Sequence, residues 1–253
     1  MSPSGTCALC HTPNVALIDS HIISRWLYRR LIELNPTGDS NSLVQVSGDK
    51  ALLISKQISK YLLCRNCEDL IGQSEQYTSN VVFQTDQSFP LLAQSSLSND
   101  DGKLALAEVN GFDVDKITRF AISVFWRADV AQIEPIVDLS SSREAIRRYL
   151  LGQTSLPPFI DLIVTLLRPV PMFPRIDRLV ICPQTQDPPE EHLFVACGIR
   201  FVLYTGASIP STLAEFSFPR KQRAFAESGE LLLHAVVEKT KASNPQGKLA
   251  RSR

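Results

Sequence analysis

The sequence predicts an α+β protein with an N-terminal region built around cysteines, a set of central helices, and a C-terminal mixed α/β part that contains a β-hairpin. Three patterns lead to this prediction. Two pairs of the form Cys-x2-Cys stand at 7–10 and 64–67, helix-capping signals occur between 113 and 152, and β-rich apolar runs follow 157. The expected boundaries are 1–84 for the cysteine-containing region, 85–238 for the helical and α/β region, and 239–253 for a basic tail.

The composition fits an ordinary globular protein. With 253 residues, of which 44% are hydrophobic and 21% charged, the chain can bury a sizeable core. Its formal net charge is zero, so the whole-protein field gives no general attraction to nucleic acid. No apolar run approaches about 18 residues, and no basic patch followed by a hydrophobic segment opens the chain. We therefore expect no membrane association, no secretory signal and a cytoplasmic location.

The N-terminal region should contain two helices. Residues 24–34 read SRWLYRRLIEL, and residues 68–83 form the other helical segment. Residues 35–51 are rich in turn-forming and polar residues and are interpreted as a loop or an insertion. A polar segment over 84–103 separates this region from the rest of the chain.

The central and C-terminal elements carry clearer end signals. Asp113 or Asp115 can cap a helix that runs to about 130, and Ser141 can cap one that ends on Gly152. Two apolar runs flank Cys197-Gly198, as in a β-hairpin. After Glu238 there is almost nothing apolar to bury, so the basic tail is predicted to be disordered.

The two cysteine pairs are the strongest chemical signal. Zn²⁺ prefers a tetrahedral set of ligands, and two Cys-x2-Cys loops can complete a four-thiolate site from Cys7, Cys10, Cys64 and Cys67. Two alternatives are that the four are unrelated buried cysteines, or that one pair is a redox dithiol; the latter is the weaker rival because the βαβ context of thioredoxin-like motifs is missing. A closed site of four thiolates is structural, so any catalysis must come from other residues.

His21 lies between the cysteine pairs, in the stretch IDSHIIS at 18–24. A histidine beside isoleucines is more often structural than catalytic. The order C-x2-C, then S-H-I-I, then L-L-C-x2-C opening a helix nevertheless resembles the zinc-stabilised branch of the HNH, or ββα-metal, endonuclease superfamily, whose zinc region is treble-clef-like. This resemblance covers about residues 5–83. A narrower likeness, through Glu75 and F-A-I-S-x-x-W-R at 120–127, is to uncharacterised bacterial HNH-like proteins.

The resemblance implies roles for two residues. His21 would be the general base that activates water for attack on a phosphodiester. Glu68 follows the last cysteine, where the family commonly has His or Asn, and would be a ligand for Mg²⁺ or Mn²⁺. The family's acid before the histidine is replaced by Ser20, its middle Asn has no match, and Asp19 would point to the opposite strand face from Ser20. The alternative for Glu68 is an ordinary acid at a helix N-terminus.

Two neighbouring acids are assigned to structural roles. Asp69 points about 100° away from Glu68 on a helix and would favour the helix dipole. Glu75 lies two turns beyond Glu68, too far along the helix axis to share one ion with it. Glu75 is therefore expected to pair with an arginine, either from the 25–30 helix or Arg127.

Arg25, Arg29 and Arg30, beside Trp26 and Tyr28, are candidates for contacting phosphates and bases, with DNA favoured over RNA; a solvated helix face is the alternative. Two functions remain open. The first is an HNH-like metal-dependent nuclease with a structural zinc. The second is a catalytically inactive zinc-binding module for nucleic acid or another protein. The missing family acid and Asn favour the module, whereas the ordered placement of His21 and Glu68 favours the nuclease, which is the preferred hypothesis.

Overall fold

The computed structural model describes residues 2–33, 43–47, 50–54, 57–83, 89–98, 104–171, 179–206 and 211–246. The helices are α1 (Arg25–Glu33), α2 (Arg65–Val81), α3 (Pro90–Ala93), α4 (Val114–Ala131), α5 (Arg143–Leu150), α6 (Ser211–Ala214), α7 (Phe218–Lys221) and α8 (Glu230–Ala242). The strands are β1 (Ser4–Gly5), β2 (Val15–Ala16), β3 (Ile18–His21), β4 (Leu43–Ser47), β5 (Lys50–Ile54), β6 (Ser59–Leu63), β7 (Ser96–Ser98), β8 (Leu104–Glu108), β9 (Asp161–Arg168), β10 (Ile181–Thr185), β11 (Glu191–Ala196), β12 (Ile199–Tyr204), β13 (Arg223–Ser228) and β14 (Asn244–Gln246). Helices and sheets together confirm the α+β class.

A mixed seven-stranded sheet forms the centre of the fold, in the order β10-β11-β12-β9-β13-β8-β7. Its neighbours are antiparallel except for β13 and β9, which run parallel. Helix α4 packs on one face, where Phe120 meets Phe194 and Phe201 edge-on at 6.3 and 6.1 Å between ring centroids. Such aromatic contacts bury a large apolar area, which explains why α4 is the most deeply buried helix described.

The predicted end signals act as expected at Asp113, Gly152 and Cys197-Gly198, but not at Ser141. The N-cap of α5 is Ser142, whose side chain makes no capping hydrogen bond, because Ser140–Ser142 already form a helical turn that leads into α5. The Asp113 side chain accepts a hydrogen bond from the Lys116 amide at 3.1 Å and caps α4. A turn of 3₁₀-helix precedes α5, and Gly152 follows it with a φ of 71°. Cys197 and Gly198 both have positive φ, 59° and 73°, as a two-residue hairpin turn of type I′ requires.

Two expectations about irregular segments need correction. Within the predicted loop at 35–51, residues 43–47 form β4, which pairs antiparallel with β5 at 50–54, because backbone N–H and C=O groups can pair even where the side chains are polar or turn-forming. The tail is ordered as far as 246, where β14 pairs in parallel with β5. Strand pairing uses backbone N–H and C=O groups, so it does not require the apolar side chains that the tail lacks. Residues 34–42 and 247–253 lie outside the described ranges.

The apolar core is continuous across the expected boundary at 84. One cluster of buried residues extends from Cys7 and Leu63 through α4 to Ala226. A polar link reinforces it, since Lys60 Nζ donates to the Ala131 carbonyl at the end of α4 at 2.9 Å. The cysteine-containing region therefore rests directly on the central helices. No helix in the described ranges is long and apolar enough to cross a membrane.

Candidate functional site

The first cysteine pair lies in a small hairpin. Strands β1 and β2 pair antiparallel and enclose a turn at residues 7–10, here called the first knuckle. The Cys7 amide donates to the Thr12 carbonyl at 3.0 Å, and the His11 amide donates to the Cys7 carbonyl at 2.9 Å. These two hydrogen bonds close the turn of the knuckle. The chain must fold back in this way if two cysteines with two residues between them are to bind one ion.

The second knuckle, residues 64–67, lies at the junction of β6 and α2. Cys64 is the N-cap of α2 with an extended backbone, and Cys67 lies in the first helical turn. Two hydrogen bonds from backbone amides connect the first knuckle to this junction: Ala8 N–H donates to the Leu62 carbonyl on β6 at 2.9 Å, and Cys64 N–H donates to the Cys7 sulfur at 3.3 Å. The start of α2 is thereby fixed against the first knuckle.

The four sulfurs form a compact cluster. All four Sγ atoms lie within 4.8 Å of one another, and Cys10 Sγ lies 3.8 Å from Cys64 Sγ. A tetrahedral zinc site with Zn–S bonds of about 2.3 Å has sulfurs about 3.8 Å apart. The four predicted cysteines thus lie close enough to bind a metal ion, with a spacing consistent with structural zinc. In the described part of the chain they are the one group of three or more potential ligands that converges in this way.

The thiols differ in their tendency to ionise. Burial raises the pKa of Cys7, and burial together with the neighbouring thiols raises that of Cys67. Burial opposes ionisation of Cys10 as well, but hydrogen bonds from the Thr12 hydroxyl and amide lower the pKa of Cys10 to about 6. A bound cation offsets the cost of holding several thiolates together, so metal binding and folding of this region are coupled.

Arg147 of α5 braces the first knuckle and was not foreseen from the sequence. Its guanidinium donates to the Leu9 carbonyl, between the two cysteines, and pairs with Glu144 at 2.7 Å. Its positive charge also interacts electrostatically with the Cys10 sulfur. The sequence shows the i, i+3 spacing that pairs Glu144 with Arg147 on one helix. It gives no sign of the contact with Leu9, which joins distant parts of the chain.

Glu68 lies in the first turn of α2, beside β3. Its Oε2 accepts a hydrogen bond from the Ser20 hydroxyl at 2.7 Å, and Ser20 is fully buried. Asp69, the next residue, is exposed. Ser20 stands where the resembling family has an acid. It therefore contacts Glu68, the predicted metal ligand, directly.

His21 ends β3 and is half-buried. Because strand side chains alternate between faces, His21 points away from the Ser20 side, and its ring centroid lies 6.5 Å from that of Tyr28. No hydrogen bond or ion pair joins His21 to Glu68 within the described residues. The structure thus brings Glu68 to Ser20 and places His21 next in the chain, without direct contact between the two predicted catalytic side chains.

The predicted basic and aromatic face of α1 is only partly present. Arg25 and Arg29 are exposed, while the Arg30 side chain lies outside the described part of the structure. Tyr28 is buried, with its hydroxyl accepting from the Ile58 amide at 3.3 Å, and Trp26 packs 6.3 Å from Phe120. The aromatic residues thus serve the core, because helical periodicity turns them away from the two exposed arginines.

The predicted arginine partner of Glu75 is Arg127. Arg127 Nη2 lies 2.5 Å from Glu75 Oε1, and the Arg127 side chain is only 1% exposed. The pair connects α2 to α4, so the helix that carries Cys67 and Glu68 is held against the core at its middle.

Comparison with known proteins gives no match: no protein-family model, curated protein or solved structure matches the chain. The features that bear on function are the cysteine cluster and the contact between Ser20 and Glu68 beside His21.

Proposed function

We propose that this protein is a zinc-stabilised HNH-like nuclease that hydrolyses phosphodiester bonds with the help of a divalent cation. The observation that carries the proposal is the succession of β3, β6 and α2. Two antiparallel strands lead through Cys64 into a helix, with His21 at the end of one strand and Glu68 in the first helical turn. This arrangement supports the resemblance to the ββα-metal superfamily, whose activity depends on a histidine and a helix surrounding one cation.

Ser20, His21 and Glu68 carry groups of the kinds that the proposed chemistry uses, with His21 on the opposite face of β3 from the Ser20–Glu68 contact. His21 is only half-buried, and an imidazole nitrogen is the kind of group that can take a proton from water. Ser20 and Glu68 offer two oxygens 2.7 Å apart, close to the edge of about 2.9 Å expected between neighbouring ligands of octahedral Mg²⁺. Mg²⁺ or Mn²⁺ bound there would neutralise charge that develops on the phosphate.

The zinc has a structural role in this proposal. Four thiolates fill a tetrahedral ion, which leaves no open position for water or substrate. Arg25 and Arg29 on α1 are exposed and would contact phosphates, with DNA the preferred substrate.

A second candidate is a zinc-binding module that binds nucleic acid or a protein without cleaving. The hydrogen bond between Ser20 and Glu68 favours it, because this bond satisfies the Glu68 carboxylate without a cation. In addition, no third carboxylate or histidine joins these residues in the described ranges. The two candidates share the zinc and differ in whether a second cation binds.

The test is cleavage of DNA and RNA by the zinc-loaded full-length protein in Mg²⁺, Mn²⁺ or EDTA. We expect cation-dependent cutting of DNA, lost in His21→Ala and in Glu68→Gln. Asp69→Asn, which alters the exposed acid next to Glu68, is the matched control and should cut normally. A wild-type protein that contains one zinc per chain and cuts none of the substrates would favour the module instead.

A further inference from the structure

The four sulfurs of the cysteine cluster are not equally accessible to solvent. Cys7 and Cys67 are 0% and 4% exposed, whereas Cys10 and Cys64 are only partly buried. The two accessible sulfurs come from different knuckles and lie 3.8 Å apart. We propose that Cys10 and Cys64 are the oxidation-sensitive pair of this protein, and that peroxide joins them in a disulfide and releases the metal.

The surroundings of Cys10 make it the attacking sulfur. The Thr12 hydroxyl lies 3.1 Å from its Sγ and donates to it when the sulfur is a thiolate. Arg147, which donates to the neighbouring Leu9 carbonyl, adds a positive charge nearby. Partial exposure together with groups that stabilise the thiolate is the setting in which cysteines react with oxidants.

Cys7 has the opposite surroundings. Its sulfur is fully buried, so peroxide has no direct access to it from solvent, and it accepts a hydrogen bond from the Cys64 amide at 3.3 Å. Peroxide approaching from solvent therefore meets Cys10 before Cys7, and the accessible partner sulfur within reach is Cys64.

The chemistry balances with peroxide as the two-electron oxidant. The Cys10 thiolate attacks one peroxide oxygen, the O–O bond breaks, and Cys10 becomes a sulfenic acid as hydroxide leaves. The Cys64 thiolate then attacks Cys10 Sγ, the S–O bond breaks and a second hydroxide leaves. Two thiolates are oxidised and one peroxide is reduced. The metal keeps only two protein thiolates and is released because a four-thiolate site has lost half its ligands.

The identity of the pair matters for the fold. A bond between Cys10 and Cys64 keeps the two knuckles joined after metal loss, so the start of α2 stays near the first hairpin. A bond between Cys7 and Cys10, inside one knuckle, leaves nothing covalent between them. We therefore expect metal loss through the Cys10–Cys64 disulfide to be reversible, with reduction restoring the metal-binding site.

The experiment uses the zinc-loaded full-length chain and equimolar hydrogen peroxide. Zinc release is followed with a chromogenic chelator, and disulfides are located by peptide mass mapping after free thiols are blocked. We expect one zinc released for each Cys10–Cys64 disulfide, and rebinding after reduction. A disulfide within either knuckle as the main product, or zinc release without any disulfide, would overturn the proposal.

Two variants test the assignment of Cys10 as the attacking sulfur. Thr12→Val removes the hydroxyl, and Arg147→Met removes the charge; each should slow zinc release by roughly two- to fivefold, the range expected for one partly exposed electrostatic contact. Arg148→Met, at the exposed neighbouring position of α5, is the control and should react at the wild-type rate. Equal zinc content before oxidation shows that the site is intact in each variant. Unchanged or faster release in both Thr12→Val and Arg147→Met would overturn the assignment.

Discussion

A buried histidine should make the stability of this protein depend on pH. His192 on β11 is fully buried, and its two ring nitrogens each lie 3.0 Å from a threonine hydroxyl, of Thr185 and Thr205. Burial lowers the pKa of His192 to about 4, against about 6.5 in an unfolded chain. Between these values the unfolded state binds more protons than the native state, so the free energy of unfolding rises with pH.

The size of the effect follows from the two pKa values. His192 imposes no penalty at pH 8, where it is neutral in both states. As the pH falls through 6.5, His192 becomes protonated in the unfolded chain but stays neutral in the native state, so the free energy of unfolding decreases. This decrease levels off below pH 4, where His192 is protonated in both states. At 1.36 kcal/mol for each pH unit, His192 accounts for a loss of about 2 kcal/mol between pH 8 and pH 5.

The assay is urea denaturation at pH 8 and pH 5, for the wild type and for His192→Gln. Glutamine can still bond to a threonine hydroxyl but does not titrate, so the difference between the two pH values should shrink by about 2 kcal/mol. Protons taken up by the cysteine cluster affect both proteins equally and cancel. His234→Gln, which changes an exposed histidine on α8, should leave the difference unchanged. If His192→Gln loses as much stability as the wild type on acidification, the reasoning is wrong.

Two further predictions concern contacts that anchor α2. Cys64→Ser should remove the bound metal and lower the melting temperature, because metal binding and folding of the knuckles are coupled; metal analysis and calorimetry check this against Cys182→Ser, and unchanged metal content would contradict the four-cysteine site. Arg127→Met should lower the free energy of unfolding by about 3–5 kcal/mol, since it leaves the carboxylate of Glu75 without its partner. Adding Glu75→Gln should recover part of that loss in denaturant titrations, and no recovery would show that the ion pair is not the cause.

The features that could be predicted from sequence are those with a local cause. Asp113 caps α4 through an amide three residues away, and the turn at Cys197-Gly198 reverses the chain within two residues. The spacing of each cysteine pair likewise predicts a knuckle. Glu75 could be assigned an arginine partner because a helical carboxylate two turns from Glu68 needs its own counter-charge.

The remaining features depend on parts of the chain that are far apart in sequence. The bond from Arg147 to the Leu9 carbonyl spans 138 residues, and that from Ser20 to Glu68 spans 48. Neither contact is marked in the sequence by a periodic pattern or a capping motif, because the two partners come together only after the core has packed. The pairing of β14 with β5 was also missed, since backbone hydrogen bonding leaves little trace in side-chain composition.

The position of β13 has a consequence for how the chain is made. This strand lies between β9 and β8 in the central sheet, although it follows both in sequence. During synthesis the ribosome releases β7 and β8 first and the β9–β12 group next, so the nascent sheet has a gap with two unpaired inner edges until residues 223–228 emerge. A chain cut short before this point would expose those edges to other molecules, and truncated forms should therefore aggregate or depend on chaperones.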